Sequence, residues 1–165
     1  MDRDRIRRIA AKTALSVTAV VVVGSIALYW VWHDRPDPGD IIILHSPADN
    51  EDIVKRVIGV GGDNVQVANG LVYVNGVELD ETAYTYAAPG DNEPTVAKNA
   101  GNAWDVPEGQ LFVLGDHRQA STDSRRESVG LVDVEDVVGR AWLRFFPLDT
   151  LGIVQVPSYP ELDEA

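Results

Sequence analysis

Hydrophobic and polar positions divide the chain into two unlike stretches. From residue 14 to 32 the sequence ALSVTAVVVVGSIALYWVW runs for nineteen residues without a charge. It is apolar on every face of a helix, which suits lipid better than a globular surface. A helix of that length reaches roughly 28 Å, close to the hydrocarbon thickness of a bilayer. Past Pro36 and Pro38 the pattern changes to short β-rich runs at 41–45, 52–60, 65–67, 71–74, 110–114, 137–146 and 153–156. Asn69-Gly70 and Asn75-Gly76 are tight-turn signals between them. Many short strands with turns between them predict a mostly β domain. Residues 85–103, TYAAPGDNEPTVAKNAGNA, lack periodicity and are rich in Pro, Gly and Asn, so a long exposed loop is expected there.

Charge orients the apolar run. Residues 1–13 carry five basic and two acidic side chains, net +3, which leaves −15 on the rest of a chain whose total is −12. The positive-inside rule then puts the N-terminus in the cytoplasm and residues 33–165 outside the plasma membrane, with Tyr29, Trp30 and Trp32 at the outer interface. A cleaved signal peptide would have a shorter core and a small-residue cleavage site, whereas this run ends in bulky aromatics and HDRPDPGD. Four segments are therefore expected: a basic N-terminus at 1–13, a single transmembrane anchor at 14–32, a β domain at 33–157 and an acidic tail at 158–165. The acidic domain would repel phosphate backbones, which argues against nucleic acid as a partner. There is no cysteine, and His33, His45 and His117 are scattered, so neither a disulfide nor a metal site is expected.

The most informative strand is 52–60, DIVKRVIGV. Alternation puts Ile53, Lys55 and Val57 on one face and Val54, Arg56 and Ile58 on the other. Both faces are apolar apart from the two cations, so the strand is expected to be buried or nearly so. A lysine among aliphatic neighbours loses hydration and its pKa falls, and a neutral amine can serve as a general base toward a serine hydroxyl. The competing reading is a lysine that snorkels to solvent or pairs with a carboxylate such as Asp116 or Asp123. A second stretch, GDHRQASTDSR at 115–125, follows a strand and is dense in hydroxyls and charges. Asp123 and Arg125 can pair within it, and Ser121 offers a hydroxyl able to hold an amine; read alone, the stretch is also a Ser-rich turn.

Together these stretches resemble the type I signal peptidases, Ser/Lys peptidases that release signal peptides. IVKRVIGVGGDNV is similar to that family's lysine box, VYVNG to the hairpin after it, and PDPGDIIIL to the Gly-Asp strand before it. GDHRQASTDSR is similar to its last catalytic box, followed by VGRAWLRFFPLDTLG. The match covers about residues 36–152, nearly all of the outer domain. The resemblance implies a signal-peptidase-like antiparallel β domain on a single N-terminal transmembrane helix, needing no cofactor and acting on secretory preproteins at the membrane. Carried over by position, Lys55 is the general base and Ser121 orients its amine. Asp123 and Arg125 form a structural ion pair with Arg56 nearby, and Gly115 and Asp116 shape the loop.

The family's nucleophile lies in a Ser-Met-x-Pro-type motif between anchor and Gly-Asp strand, and that stretch also supplies oxyanion donors. Here Trp32 is followed almost directly by HDRPDPGDIIIL, and the only methionine is Met1. Ser16 and Ser25 lie within the apolar run; Ser46 sits in a His45-Ser46-Pro47 turn without an oxyanion hole; Ser121 matches the supporting position. Two readings follow: a signal-peptidase-type endopeptidase completed by another serine or a partner chain, or a non-catalytic relative that binds precursors, an active signal peptidase or a second copy. With one wall of the cleft missing, the apolar face of 53–57 is expected to be exposed, with Ile53 and Val57 contacting substrate. Lipid, a partner or substrate would then cover it by β-addition.

Overall fold

The computed structural model describes residues 35–49, 51–86, 94–157, 159 and 162. The anchor expected at 14–32, the N-terminal segment at 1–13 and most of the tail lie outside them. Among the described residues no helix is long and apolar enough to cross a membrane. In chain order the strands are β1 Ile41–His45, β2 Asp52–Val60, β3 Asn64–Ala68, β4 Leu71–Val74, β5 Val77–Glu78, β6 Ala103–Asp105, β7 Gln110–Leu114, β8 Val132–Asp133, β9 Val137–Arg140, β10 Leu143–Arg144 and β11 Gly152–Ile153.

Three antiparallel sheets result. One has the order β8-β7-β2-β1-β9, one the order β5-β4-β3-β6, and β10 pairs with β11. The β3–β4 and β4–β5 connections are the two Asn-Gly turns. Their Asn and Gly residues all take positive φ, from 53° to 87°, which matches the twist of flanking strands.

Burial explains why β2 and β7 form the centre. Val57, Leu111 and Val113 pack with Ile42, Leu44, Val129 and Val132 on one side. Ile58, Phe112 and Leu114 pack with the β3 and β4 valines, Leu79 and Val106 on the other. A strand buried on both faces reads as a continuous apolar run, as QLFVL does.

Several expectations are corrected. β2 is not an edge along its length: it pairs with β1 through 52–56 and with β7 from Arg56 onward, so residues 52–55 lack a strand on the β7 side and the end past Arg56 lacks β1 on the other. Nor is the face of 53–57 open as a whole. Val57 is fully buried against β1 and β7, Ile53 packs partly onto the same cluster, and the exposed apolar residue nearby is Val54, on the other face. Val57 therefore offers no surface to a substrate. The strand expected over 137–146 breaks after Arg140, and the one expected over 153–156 is only Gly152–Ile153. The two-residue strands β10 and β11 have no third strand to bury their side chains. Trp142, Phe145, Phe146, Leu148, Leu151 and Ile153 are accordingly exposed.

Candidate active site

Lys55 is placed by register. It stands opposite Ile42 of β1, one residue before β2 begins pairing with β7. Its neighbour on the β7 side is therefore not a strand but the loop that starts where β7 ends, at Gly115. That loop carries Asp116, Arg118, Ser121, Asp123 and Arg125. Lys55 is half-buried. Loss of hydration pulls its pKa below the ordinary lysine value, and the nearby Asp123 charge offsets this only in part. The amine donates to the Val54 carbonyl at 3.1 Å and pairs with no carboxylate among the described residues.

The two candidate carboxylates are committed elsewhere. Alternation sends Arg56 to the opposite face, where its guanidinium forks onto Asp116 (Nε–Oδ1 2.9 Å, Nη2–Oδ2 2.7 Å). Arg56 also donates to the Gly39 carbonyl at 2.7 Å and lies over the Tyr84 ring at 4.1 Å. Asp123 and Arg125 are both fully buried and bond through Nε–Oδ1 (2.8 Å) and Nη2–Oδ2 (2.7 Å). Burial pushes the Asp123 carboxyl up, but the Arg125 hydrogen bonds and charge outweigh it and hold the group below the usual carboxylate range. Arg125 spends its remaining donors on the Val96 and Arg118 carbonyls, tying two segments to the loop.

Ser121 closes the other side. Its N–H donates to the His117 carbonyl, a turn that aims the side chain back at Gly115. A Cβ at Gly115 would collide with the Ser121 Oγ and Cβ, so only glycine there admits the hydroxyl. Ser121 Oγ is buried and has no hydrogen-bond partner. It helps keep Asp123 ionised without meeting hydrogen-bond geometry to it. A buried hydroxyl without a partner carries a desolvation cost of about 1–3 kcal/mol, which a donor or acceptor arriving beside it would relieve.

The other serines differ in setting. Ser46 Oγ accepts the Ala48 N–H at 3.2 Å, capping its own turn. It lies four residue steps beyond Ile42, the partner of Lys55, which is roughly 13 Å along the strand direction. Ser124 Oγ accepts from the Val113 N–H at 2.9 Å and is fully buried. Among the described residues no group of three His, Asp or Glu converges as a metal site would require.

Two participants had no sequence signal. Lys98, in the stretch expected to be an exposed loop, reaches in to donate to the Ser121 carbonyl at 2.5 Å. Glu81 pairs with the buried Arg118 through two 2.6 Å contacts and braces the loop from outside. Both come from irregular segments, where neither periodicity nor a motif marks an inward-facing residue.

The family model described as signal peptidase, peptidase S26, matches residues 5–146. Signal peptidase IB of Staphylococcus aureus is 37% identical over 120 residues, which take in 67% of this chain and 61% of that protein, so the match spans less than two thirds of that relative's length. Signal peptidase I of Streptococcus pneumoniae is 33% identical over 156 residues, 76% of each chain. Since 76% of 165 residues is fewer than 156, some positions of that relative have no counterpart here. Among solved structures, a crystal structure of a signal peptidase I from Enterococcus faecalis V583 superposes with a TM-score of 0.54 at 34% identity, covering 65% of this chain and 97% of that one.

Proposed function

The chain belongs to the signal peptidase family, peptidase S26, and from that premise we propose that it carries the general-base half of a Ser/Lys endopeptidase site acting on the signal peptides of secretory preproteins. The observation that carries this reading is Lys55: a half-buried amine with a lowered pKa and no carboxylate partner, on the strand that faces the loop of Ser121 and Asp123. A salt bridge would hold the amine protonated; lost hydration and the lack of such a partner among the described residues both favour the neutral form a base needs.

In the proposed reaction the Lys55 amine takes the proton of a serine hydroxyl as that oxygen attacks the scissile carbonyl. The ammonium then returns the proton to the departing peptide amine, leaving an acyl-enzyme. Water, deprotonated by the same amine, hydrolyses the ester. Ser121 receives the amine when it swings from the Val54 carbonyl, which would satisfy the unpartnered hydroxyl. Asp116, Asp123 and Arg125 hold the loop in shape. The attacking serine is supplied by a second chain or, failing that, by Ser121 itself; the relative's unmatched positions support the loss of a segment. The anchor at 14–32 would keep the domain at the outer membrane face, and the exposed apolar β10–β11 hairpin suits that location.

A second reading is a catalytically inactive relative that binds precursors or an active signal peptidase. One observation favours it: Ser46 caps its own turn and Ser124 is fully buried and bonded to β7, so neither offers Lys55 a nucleophile. The deciding experiment is cleavage of a preprotein with an Ala-x-Ala site by the full-length chain in detergent, beside Lys55→Ala and Ser121→Ala. Cleavage lost in Lys55→Ala supports the base assignment. Binding of the preprotein without cleavage, unchanged by Lys55→Ala, refutes it and leaves the second reading.

A further inference from the structure

Lys98 is held in place more tightly than an exposed-loop lysine would be. The residues on either side of it are fastened to the buried ion pair: Arg125 Nη1 donates to the Val96 carbonyl at 3.1 Å, and the Ala100 N–H donates to the Arg125 carbonyl at 3.0 Å. Asn99 Oδ1 accepts from the Glu127 N–H at 3.2 Å, and Lys98 itself bridges to Gly101. Between these pinned flanks the partly buried Lys98 side chain turns inward, and its amine meets the Ser121 carbonyl.

We propose that Lys98 is a positioning residue of this site: its ammonium clamps the Ser121 backbone, and with it the hydroxyl facing the Lys55 side, and it places a second positive charge in the same enclosure. The charge inventory explains the consequence. The groups around the enclosure are Lys55 on β2, Lys98 on the 94–102 segment, and Asp123, Arg125 and Arg126 on the loop. Among the described residues Asp123 is the anion acting on both amines, and Arg125 already neutralises it through two hydrogen bonds. Arg56 and Asp116 neutralise each other on the far face of β2. Two like charges in one enclosure disfavour each other's charged form; the repulsion contributes to the lowered pKa of Lys98 and acts reciprocally on Lys55 while Lys98 carries its charge. Burial, together with Arg125, Arg126 and Lys55, likewise lowers the pKa of Lys98 despite the pull of Asp123.

This inference rests on Lys55 being the base, and its test needs no turnover. The chain has three lysines, Lys12, Lys55 and Lys98. Selective 13C-lysine labelling of the full chain in detergent micelles therefore gives few signals, assignable by single substitutions, and 15N labelling follows the Ser121 amide. Removing the charge in Lys98→Met should raise the Lys55 titration midpoint and shift the Ser121 amide. Lys98→Arg, which keeps charge and donor, should restore the midpoint. Both changes together support the inference; a Lys55 midpoint or Ser121 amide that stays at its wild-type position in Lys98→Met overturns it. An ordinary lysine midpoint for Lys55 in the wild-type chain would instead overturn the base assignment itself, and the two failures are distinct.

Discussion

Replacing Arg125 by methionine tests the central claim about how this loop is built. Methionine keeps much of the side-chain length but removes the charge and every donor. The fully buried Asp123 then loses its two guanidinium contacts, and the Val96 and Arg118 carbonyls lose theirs. Breaking a buried ion pair by deleting one partner costs about 3–5 kcal/mol, because the surviving charge has neither water nor a counter-ion. For a domain of this size that is a fall in Tm of on the order of 10–20 °C. The pH dependence carries the sign. In the wild type Asp123 has a lowered pKa, so the pair stabilises the fold above the unfolded value of about 3.9 and that contribution is lost as pH falls through the lowered folded value. In Arg125→Met, burial dominates and the folded pKa rises above the unfolded one. The penalty is then full at neutral pH and is relieved as the carboxyl protonates on acidification. Thermal unfolding of the full chain at pH 7 and pH 4.5 measures both. The double variant Asp123→Asn with Arg125→Met should recover part of the loss, since no uncompensated charge remains. A loss under about 1 kcal/mol, or one equal at the two pH values, would refute the reasoning.

The remaining predictions are shorter. Lys55→Met should stabilise the domain at neutral pH: a folded pKa below the unfolded value of about 10.4 means the amine's burial is penalised, and the gain should shrink as pH rises through that window, as denaturant unfolding from pH 7 to 10 would record. Gly115→Ala should displace Ser121, costing about 1–3 kcal/mol and shifting the Ser121 amide signal, whereas the Asp116–Arg56 contacts on the opposite face should survive. Arg56→Lys should destabilise despite keeping the charge, because an ammonium cannot fork onto Asp116 while also reaching the Gly39 carbonyl; a melting temperature equal to wild type would show the fork to be dispensable.

Local sequence carried most of the β framework. The runs at 41–45, 52–60, 71–74 and 110–114 became strands with those same bounds, because alternation, β-branched side chains and Asn-Gly turns act within a few residues. The 137–146 run did not continue as one strand: β9 has β1 to pair with, whereas Leu143 and Arg144 have only β11.

The lysine box and the Gly-Asp loop were likewise legible as motifs, and alternation alone determined that Lys55 and Arg56 leave β2 on opposite faces. The Asp123–Arg125 pair, two residues apart, was legible as well; what sequence could not decide was where Asp116 goes, because its partner Arg56 lies sixty residues away and no local signal links them. Packing decided it. With Asp116 spent on Arg56 and Asp123 on Arg125, Lys55 was left half-buried and without a carboxylate partner among the described residues. Packing also turned a Pro- and Asn-rich segment inward so that Lys98 reached Ser121. Strand period and turn chemistry are properties of neighbouring residues; the protonation state of a buried amine depends on every charge that folding brings near it, and only the tertiary structure supplies that.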